Sequence, residues 1–238
     1  YKTNTHRRKN YSKMNNILVI APHADDELLG CGATIVKKIA NGDNVYVLVM
    51  TNAHIGAPEL FSEDNINTVR TEAQKAHAFL GIKETVFLDF PAPKLDQQPS
   101  YLMSIEISKV IQKFQIDTVY IPHRGDIHKD HKMVFDAVLV AVRPRNNYTV
   151  KKVLAYETLS ETEWGNPVAS DMFIPTYFEE VNELYFEKKL KALSFFHSQM
   201  ALFPASRSLE AVDALSKYRG ATISKMRAEA FMVVRIIS

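Results

Sequence analysis

Residues 19–32 read Val19-Ile20-Ala21-Pro22-His23-Ala24-Asp25-Asp26-Glu27-Leu28-Leu29-Gly30-Cys31-Gly32. An apolar strand, Ile17 to Ala21, stops at Pro22, which has no N–H to give to a sheet ladder. A histidine and three acids follow at once, and then an apolar helical pattern begins. Asp25, Asp26 and Glu27 suit the first turn of a helix, where free N–H groups and the helix dipole favour negative charge. That preference accounts neither for His23 nor for two adjacent aspartates at a strand end. In open α/β sheets, ligands gather at the carboxyl ends of strands. A histidine and a carboxylate placed there can share a metal ion.

Outward from this stretch, apolar runs alternate with 3.6-residue patterns. Leu28 to Ala40 reads as a helix ended by Asn41-Gly42-Asp43, and Val45 to Met50 as a strand buried on both faces. Residues 51–67 are polar and border the expected pocket, with His54 either in its wall or on the surface. Asn67 to Leu80 reads as a helix, Thr85 to Leu88 as a strand, and residues 89–98 as a proline-containing loop in which Asp89 serves a pocket or a turn. Ser100 to Phe114 is a helical stretch, and Asp117 to Ile121 is a fourth strand that also ends in proline. Beyond Arg145 come a strand at Val150 to Tyr156, an outer strand at Phe173 to Glu180, helices at Val181 to His197 and Ser206 to Arg219, and a closing strand at Glu229 to Ile236. The expected fold class is α/β, with a Rossmann-like, mostly parallel sheet flanked by helices and C-terminal helix and strand additions. Residues 17–238 form a single domain in this reading, after a flexible polar arm, residues 1–16, that carries Arg7, Arg8 and Lys9. Gly30 and Gly32 lie inside the first helix and make no dinucleotide fingerprint.

The fourth strand runs into Pro122-His123-Arg124-Gly125-Asp126-Ile127-His128-Lys129-Asp130-His131. No core needs three histidines and two aspartates so close together. Capping can occupy one aspartate, and His123 is assigned a strand-end hydrogen bond, which leaves a surplus of ligand-type side chains. Asp130 and His131 begin the next helix.

Pro22-His23-Ala24-Asp25-Asp26-Glu27 resembles the Pro-His-Pro-Asp-Asp-Glu signature of the PIG-L/LmbE-like N-acetylglucosaminyl deacetylases, with Ala24 in place of the usual proline. His128-Lys129-Asp130-His131 is similar to that family's His-x-Asp-His element, and Asp126 resembles an acid common in its bacterial members. Arg70-Thr71-Glu72-Ala73, Phe195 to Gln199 and Glu229-Ala230-Phe231 also resemble family segments, so the likeness spans nearly the whole chain from residue 17. The resemblance implies zinc held by His23, Asp26 and His131, with Asp25 as general base; spacing alone would allow Asp25 and Asp26 to be exchanged. It implies His128 as a protonated partner of the oxyanion or departing amine, oriented and kept charged by Asp130. Arg70 is implied as a sugar contact, with pairing to nearby acids as the plain alternative; Glu72 is read as holding Arg70 or the loop. Trp164 is either a stacking surface for a sugar or a core-covering ring. Iron or cobalt would suit the same ligands.

The reaction so implied is zinc-dependent removal of an acetyl group from an N-acetylated sugar or sugar conjugate. A nucleotide-linked or surface-polysaccharide precursor is one expectation, with Arg207, Arg219 and Arg227 meeting a phosphate or serving as solvated charges. The alternatives are a metal-dependent hydrolase of another amide or a phosphoester, and a non-catalytic sugar-binding relative. Composition narrows the field further. A net charge of +2 is far from a nucleic-acid binder's excess. One cysteine, Cys31, excludes an intrachain disulfide and a Cys-based zinc site. No apolar run approaches the roughly 20 residues of a membrane span, and the expected location is cytoplasmic, where the Asn147-Tyr148-Thr149 sequon carries no weight. A homo-oligomer is compatible with all of this.

Overall fold

The computed structural model describes residues 14–145 and 149–238. The basic arm up to residue 13, and Asn147 and Tyr148 of the sequon, lie outside the described residues. Among the described residues, seven strands form one sheet: β1 (Asn16–Ala21), β2 (Asn44–Asn52), β3 (Glu84–Pro91), β4 (Thr118–Pro122), β5 (Lys152–Tyr156), β6 (Tyr177–Glu180) and β7 (Ala228–Ile236). Their order across the sheet is β3-β2-β1-β4-β5-β7-β6. The first five strands pair in parallel, whereas β7 runs antiparallel to both β5 and β6. The mixed sheet matches the expected α/β architecture with C-terminal additions.

Side chains alternate across β1: Ile17, Val19 and Ala21 enter one core, and Leu18 and Ile20 enter the other. A strand buried on both faces must be apolar throughout, which is why residues 17–21 read as an unbroken run. On the first face lie α1 (Asp26–Ala40), α3 (Glu63–Leu80) and α6 (Glu183–Leu193); on the second lie α4 (Ser100–Phe114) and α5 (Lys129–Ala141). A short helix, α2 (Ala53–Gly56), follows β2, and α7 (Leu209–Ala221) packs on β7.

Several boundaries differ from the sequence reading. The segment after β2 is not a plain loop, because the Asn52 side chain accepts from the N–H groups of His54 and Ile55 and starts α2. Ser62 caps α3, which therefore starts at Glu63 rather than Asn67. Strand β3 continues to Pro91 by pairing with the end of β2, across an irregularity between Val49 and Thr51. Helix α6 stops at Leu193, short of the expected His197.

Two glycines let α1 sit close to its neighbours. A Cβ on Gly30 would stand 2.3 Å from the Tyr156 ring, and one on Gly32 would stand 2.7 Å from Lys189 Cγ. Lys189 and Glu229, both buried, form an ion pair at 2.6 Å against the middle of this helix. Glu229 accepts from the N–H groups of Ala33 and Thr34, while Lys189 donates to Leu29 O. These contacts seat the helix whose first turn carries the acids.

The sheet order places β1 next to β4, with β2 and β3 on one side and β5 on the other. Chain direction across the sheet reverses there, so the carboxyl ends of β1 and β4 flank the crevice in which such sheets take ligands.

Candidate metal centre and active site

Both proline-ended strands deliver their polar stretches to this crevice. His23 and His131, 108 positions apart in sequence, have ring centroids 5.4 Å apart. Asp26 lies between them: its Oδ2 is 3.4 Å from His23 Nδ1 and 3.2 Å from His131 Nε2. The ligand-type atoms of these three residues all lie within 4.8 Å of one another. Ligands bound about 2.0–2.2 Å from a tetrahedral zinc stand roughly 3.4 Å apart, so the spacing suits one ion.

Hydrogen bonds fix where the protons sit. His131 Nδ1–H donates to Asp126 Oδ2 at 2.7 Å, which leaves the lone pair on Nε2. Asp126 is steadied in turn by Thr162, whose hydroxyl donates to Oδ1 at 2.6 Å. His23 Nε2–H is directed at Asp130 Oδ2, 3.3 Å away, which leaves its lone pair on Nδ1. A carboxylate behind each imidazole is the usual support for metal-ligating histidines. His131 Nε2 and Asp26 Oδ1 are buried and have no hydrogen-bond partner among the described residues. Orphaned atoms of this kind are costly in a protein interior, and a cation between them would satisfy both. Burial alone disfavours charge on either imidazole. Even so, Asp130 and Asp26 lift the pKa of His23 to about 9, and Asp26 and Asp126 hold that of His131 well above its ordinary value. A place that favours positive charge this strongly fits a divalent ion.

His23, His128 and Asp130 form a second group of suitable atoms that shares His23 with the first. Here the proton positions argue against a ligand. His128 Nδ1 accepts the Asp130 backbone N–H at 3.1 Å and caps α5, so the neutral ring carries its proton on Nε2 and offers a donor there. This corrects the expected charged His128 held by the Asp130 carboxylate. That carboxylate is 3.8 Å from His128 Nδ1 and serves His23 and the Leu95 N–H instead. Burial, then the neighbouring His23 charge, lower the His128 pKa to about 4.

Asp25 faces Arg207 where Asp26 faces the two histidines. It precedes α1 with φ 123°, a left-handed backbone conformation rare outside glycine, and its side chain makes no cap hydrogen bond. Its Oδ2 accepts from Arg207 Nη1 at 2.7 Å, while Oδ1 is buried and unpartnered. Burial raises its pKa to about 8 against the pull of Arg207, and the charges of Asp26 and Glu27 add to the rise. Glu27, the third acid, is structural: it accepts from the Asp25 N–H and pairs with His77 at 2.8 Å.

A cleft of about 620 Å³ opens beside these groups, lined by His23, His128, Glu161 and Arg207, with Leu60, Phe61 and Val69 as apolar wall. Arg70 also lines it, and its Nη2 donates to Leu88 O and to Asp89, the pairing with a nearby acid given as the plain alternative. Glu72 accepts from Ser198 and so holds the Ser198-Gln199 edge of the cleft. Trp164 does not line the cleft, and at 57% exposure the residue does not cover the core either. The 3-10 turn Thr162–Trp164 aims Thr162 at Asp126 and leaves Trp164 exposed. His123 Nε2–H donates to Asp171 O, the strand-end bond assigned to it, and His54 Nδ1–H donates to Phe61 O and holds the cleft wall.

The arginines offered for a phosphate are already engaged. Arg207 binds Asp25, Arg219 pairs with Glu157, and Arg227 pairs with Glu183 and Asp213. Sequence reading offered Arg207 only to a phosphate, not to Asp25, and missed Glu161 as a site residue. Arg207 falls in the stretch read as the last helix, which starts only at Leu209, and the return of the chain after α6 brings it to the acids.

The chain is similar to several known proteins. Residues 18–142 match the family model described as "PIG-L: GlcNAc-PI de-N-acetylase". The chain is 33% identical over 186 residues to the uncharacterized deacetylase YaiS of Escherichia coli, covering 76% of this chain and 90% of that one. It is 27% identical over 212 residues to a diacetylchitobiose deacetylase of Thermococcus kodakarensis, covering 79% of this chain and 72% of that one. Among solved structures, the conserved protein TT1542 of Thermus thermophilus superposes with a TM-score of 0.75 at 23% identity, over 94% of this chain and 97% of that one. The Pseudomonas hydratase GalB superposes with a TM-score of 0.73 at 18% identity, over 94% and 99%, so the fold alone does not fix the chemistry. With the family model spanning more than half of the chain and both of its signature stretches meeting at one point, the protein belongs to the PIG-L family.

Proposed function

We propose that this protein is a zinc-dependent N-deacetylase that hydrolyses the acetamide of an N-acetylated sugar or sugar conjugate. The observation that carries the reading is the convergence of two imidazole lone pairs and one carboxylate beside a separate buried acid with a free oxygen. Family membership supports the reaction class, and a relative named as a diacetylchitobiose deacetylase supports a sugar substrate. A cleft of this volume is within the usual range for small-molecule sites.

His23 Nδ1, the Asp26 carboxylate and His131 Nε2 would hold the ion. When bound, a divalent ion of this kind acts as a Lewis acid and lowers the pKa of water from 15.7 to about 7. Asp25 Oδ1 takes the proton of the attacking water, since it is the one oxygen of that acid left without a partner, and returns it to the amine nitrogen as the C–N bond breaks to release acetate. His128 donates from Nε2 to the acetamide oxygen as negative charge grows on it, acting as a neutral imidazole. Asp126 and Asp130 keep the two ligating rings in their tautomers. Arg70 and the apolar wall orient the sugar. With Arg207, Arg219 and Arg227 committed to carboxylates, a nucleotide-linked substrate has lost its expected phosphate contacts.

The test is amine release from N-acetylglucosamine, N,N′-diacetylchitobiose and glycolipid-linked N-acetylglucosamine, with metal analysis of the same samples. The reading expects release from at least one substrate, loss on chelation and recovery with zinc. No release from any N-acetyl sugar by metal-loaded protein would reject it.

A further inference from the structure

Arg207 lies one residue before Ser208, the N-cap of α7, at the end of a loop that returns from α6 to the cleft. Its position is secured from several directions. Its carbonyl accepts from the Ala201 N–H at 2.9 Å, and its Nε donates to Ser160 Oγ at 2.6 Å. Its Nη2 is 3.6 Å from Glu161 Oε1 and 4.0 Å from Asp26 Oδ1. Its Nη1 donates to Asp25 Oδ2 at 2.7 Å. A planar guanidinium with donors in a fixed fork can hold one carboxylate and lean on another.

The partner it holds needs holding. Asp25 has a backbone conformation that non-glycine residues rarely adopt, and no cap hydrogen bond restrains its side chain. Rotation of that side chain would exchange its oxygens. With Oδ2 committed to Arg207, Oδ1 remains as the buried, unpartnered atom beside Asp26.

We propose that Arg207 is a positioning residue: it clamps Asp25 Oδ2 so that Oδ1 faces the reacting atoms. Glu161 and Ser160 aim the clamp, and one guanidinium therefore couples the loop before α7 to the first turn of α1. The catalytic part of this inference rests on the deacetylase reading, whereas the geometric part does not.

Arg207→Gln removes the fork and keeps a polar chain of similar reach. Misplacing a reacting group by about 1 Å costs roughly 100-fold in rate, so the variant is expected to lose about that much in kcat, with KM changed less than threefold and metal content retained. In an Asp25→Asn background the same substitution is expected to cost less than threefold, because residues that act as a unit are not additive. A loss of full size in that background would overturn the proposal, as would a loss confined to KM or traced to missing metal. Should Arg207→Gln fail to fold, Arg207→Lys serves: it keeps the charge without the fork, and an intermediate loss with the same non-additivity is expected. Crystal structures of the zinc-loaded wild type and variant decide the geometry apart from activity. A turned Asp25 carboxylate in the variant supports the clamp, and an unmoved one refutes it. Wild type that releases amine from no N-acetyl sugar would end the deacetylase reading, and the crystal comparison would still decide the clamp.

Discussion

The turn after β1 and the turn after β4 do related work in different ways. Each follows a parallel strand that ends in or at a proline, and each leads into a helix whose first turn carries an acid and faces the same crevice. The first turn, residues 22–25, is the shorter; the second spans residues 123–128. In the second, His128 adopts an ordinary extended conformation at the N-cap and spends its Nδ1 on the Asp130 N–H, which fixes its proton on Nε2. In the first, Asp25 occupies the equivalent place with a left-handed backbone, and its side chain caps no helix N–H. Its carboxylate is left for Arg207 on one oxygen and for chemistry on the other. A residue that caps gains a defined proton. A residue excused from capping keeps a reactive atom, at a backbone cost of order 1–3 kcal/mol.

The most damaging test of this contrast removes a ligand. Asp26→Ala or His131→Ala should abolish stoichiometric zinc and lower turnover by about 1,000-fold or more, since the ion supplies several kcal/mol of charge stabilisation. Full metal content in either variant would break the ligand assignment. Asp25→Asn should lower kcat by about 100- to 10,000-fold with zinc retained; loss of metal instead would mean that the roles of Asp25 and Asp26 are exchanged. His128→Ala should cost about 100- to 1,000-fold in kcat as a lost donor. The same variant should also lose about 1 kcal/mol of stability as a lost cap, and a denaturant titration reads this second effect apart from the first. Asp126→Asn and Asp130→Asn should each weaken zinc binding by about 10- to 100-fold, measured by competition with a chelator. An effect of Asp130→Asn on the rate alone would return that acid to His128.

The smallest effect lies at the far end of α1. Burial would raise the Glu179 pKa, but the hydrogen bonds and charges of Lys37 and Lys38 outweigh it and hold it below 4.5. A depressed folded pKa stabilises the fold above the unfolded value and loses that contribution as pH falls through the folded one. Wild type should therefore lose stability below about pH 4.5 more steeply than Glu179→Gln. Parallel melting curves for the two proteins over that interval would contradict the assignment.

Much of the fold was legible because burial on both faces forces an unbroken apolar strand, as in residues 17–21 and 45–50, and because the helices carry one apolar stripe. Both site stretches stood out because a core has no use for their side chains. The rest depended on contacts with no local signature. Arg207 meets Asp25 across 182 positions, and nothing in its neighbours distinguishes it from Arg219 or Arg227, which hold structural carboxylates. The neutral state of His128 follows from one backbone N–H, and the spacing His-x-Asp suggested a side-chain pair instead. Trp164 was plausible as a sugar platform until Thr162 proved to take the inward position in that turn.

The central claim is that one divalent ion bridges the two turns. Anomalous scattering from a zinc-soaked crystal, collected on both sides of the zinc absorption edge, tests it directly. A single peak bonded to His23 Nδ1, the Asp26 carboxylate and His131 Nε2, with Asp25 outside bonding distance, is the predicted result. A peak seated on His23, His128 and Asp130, or a pair of peaks, would contradict it.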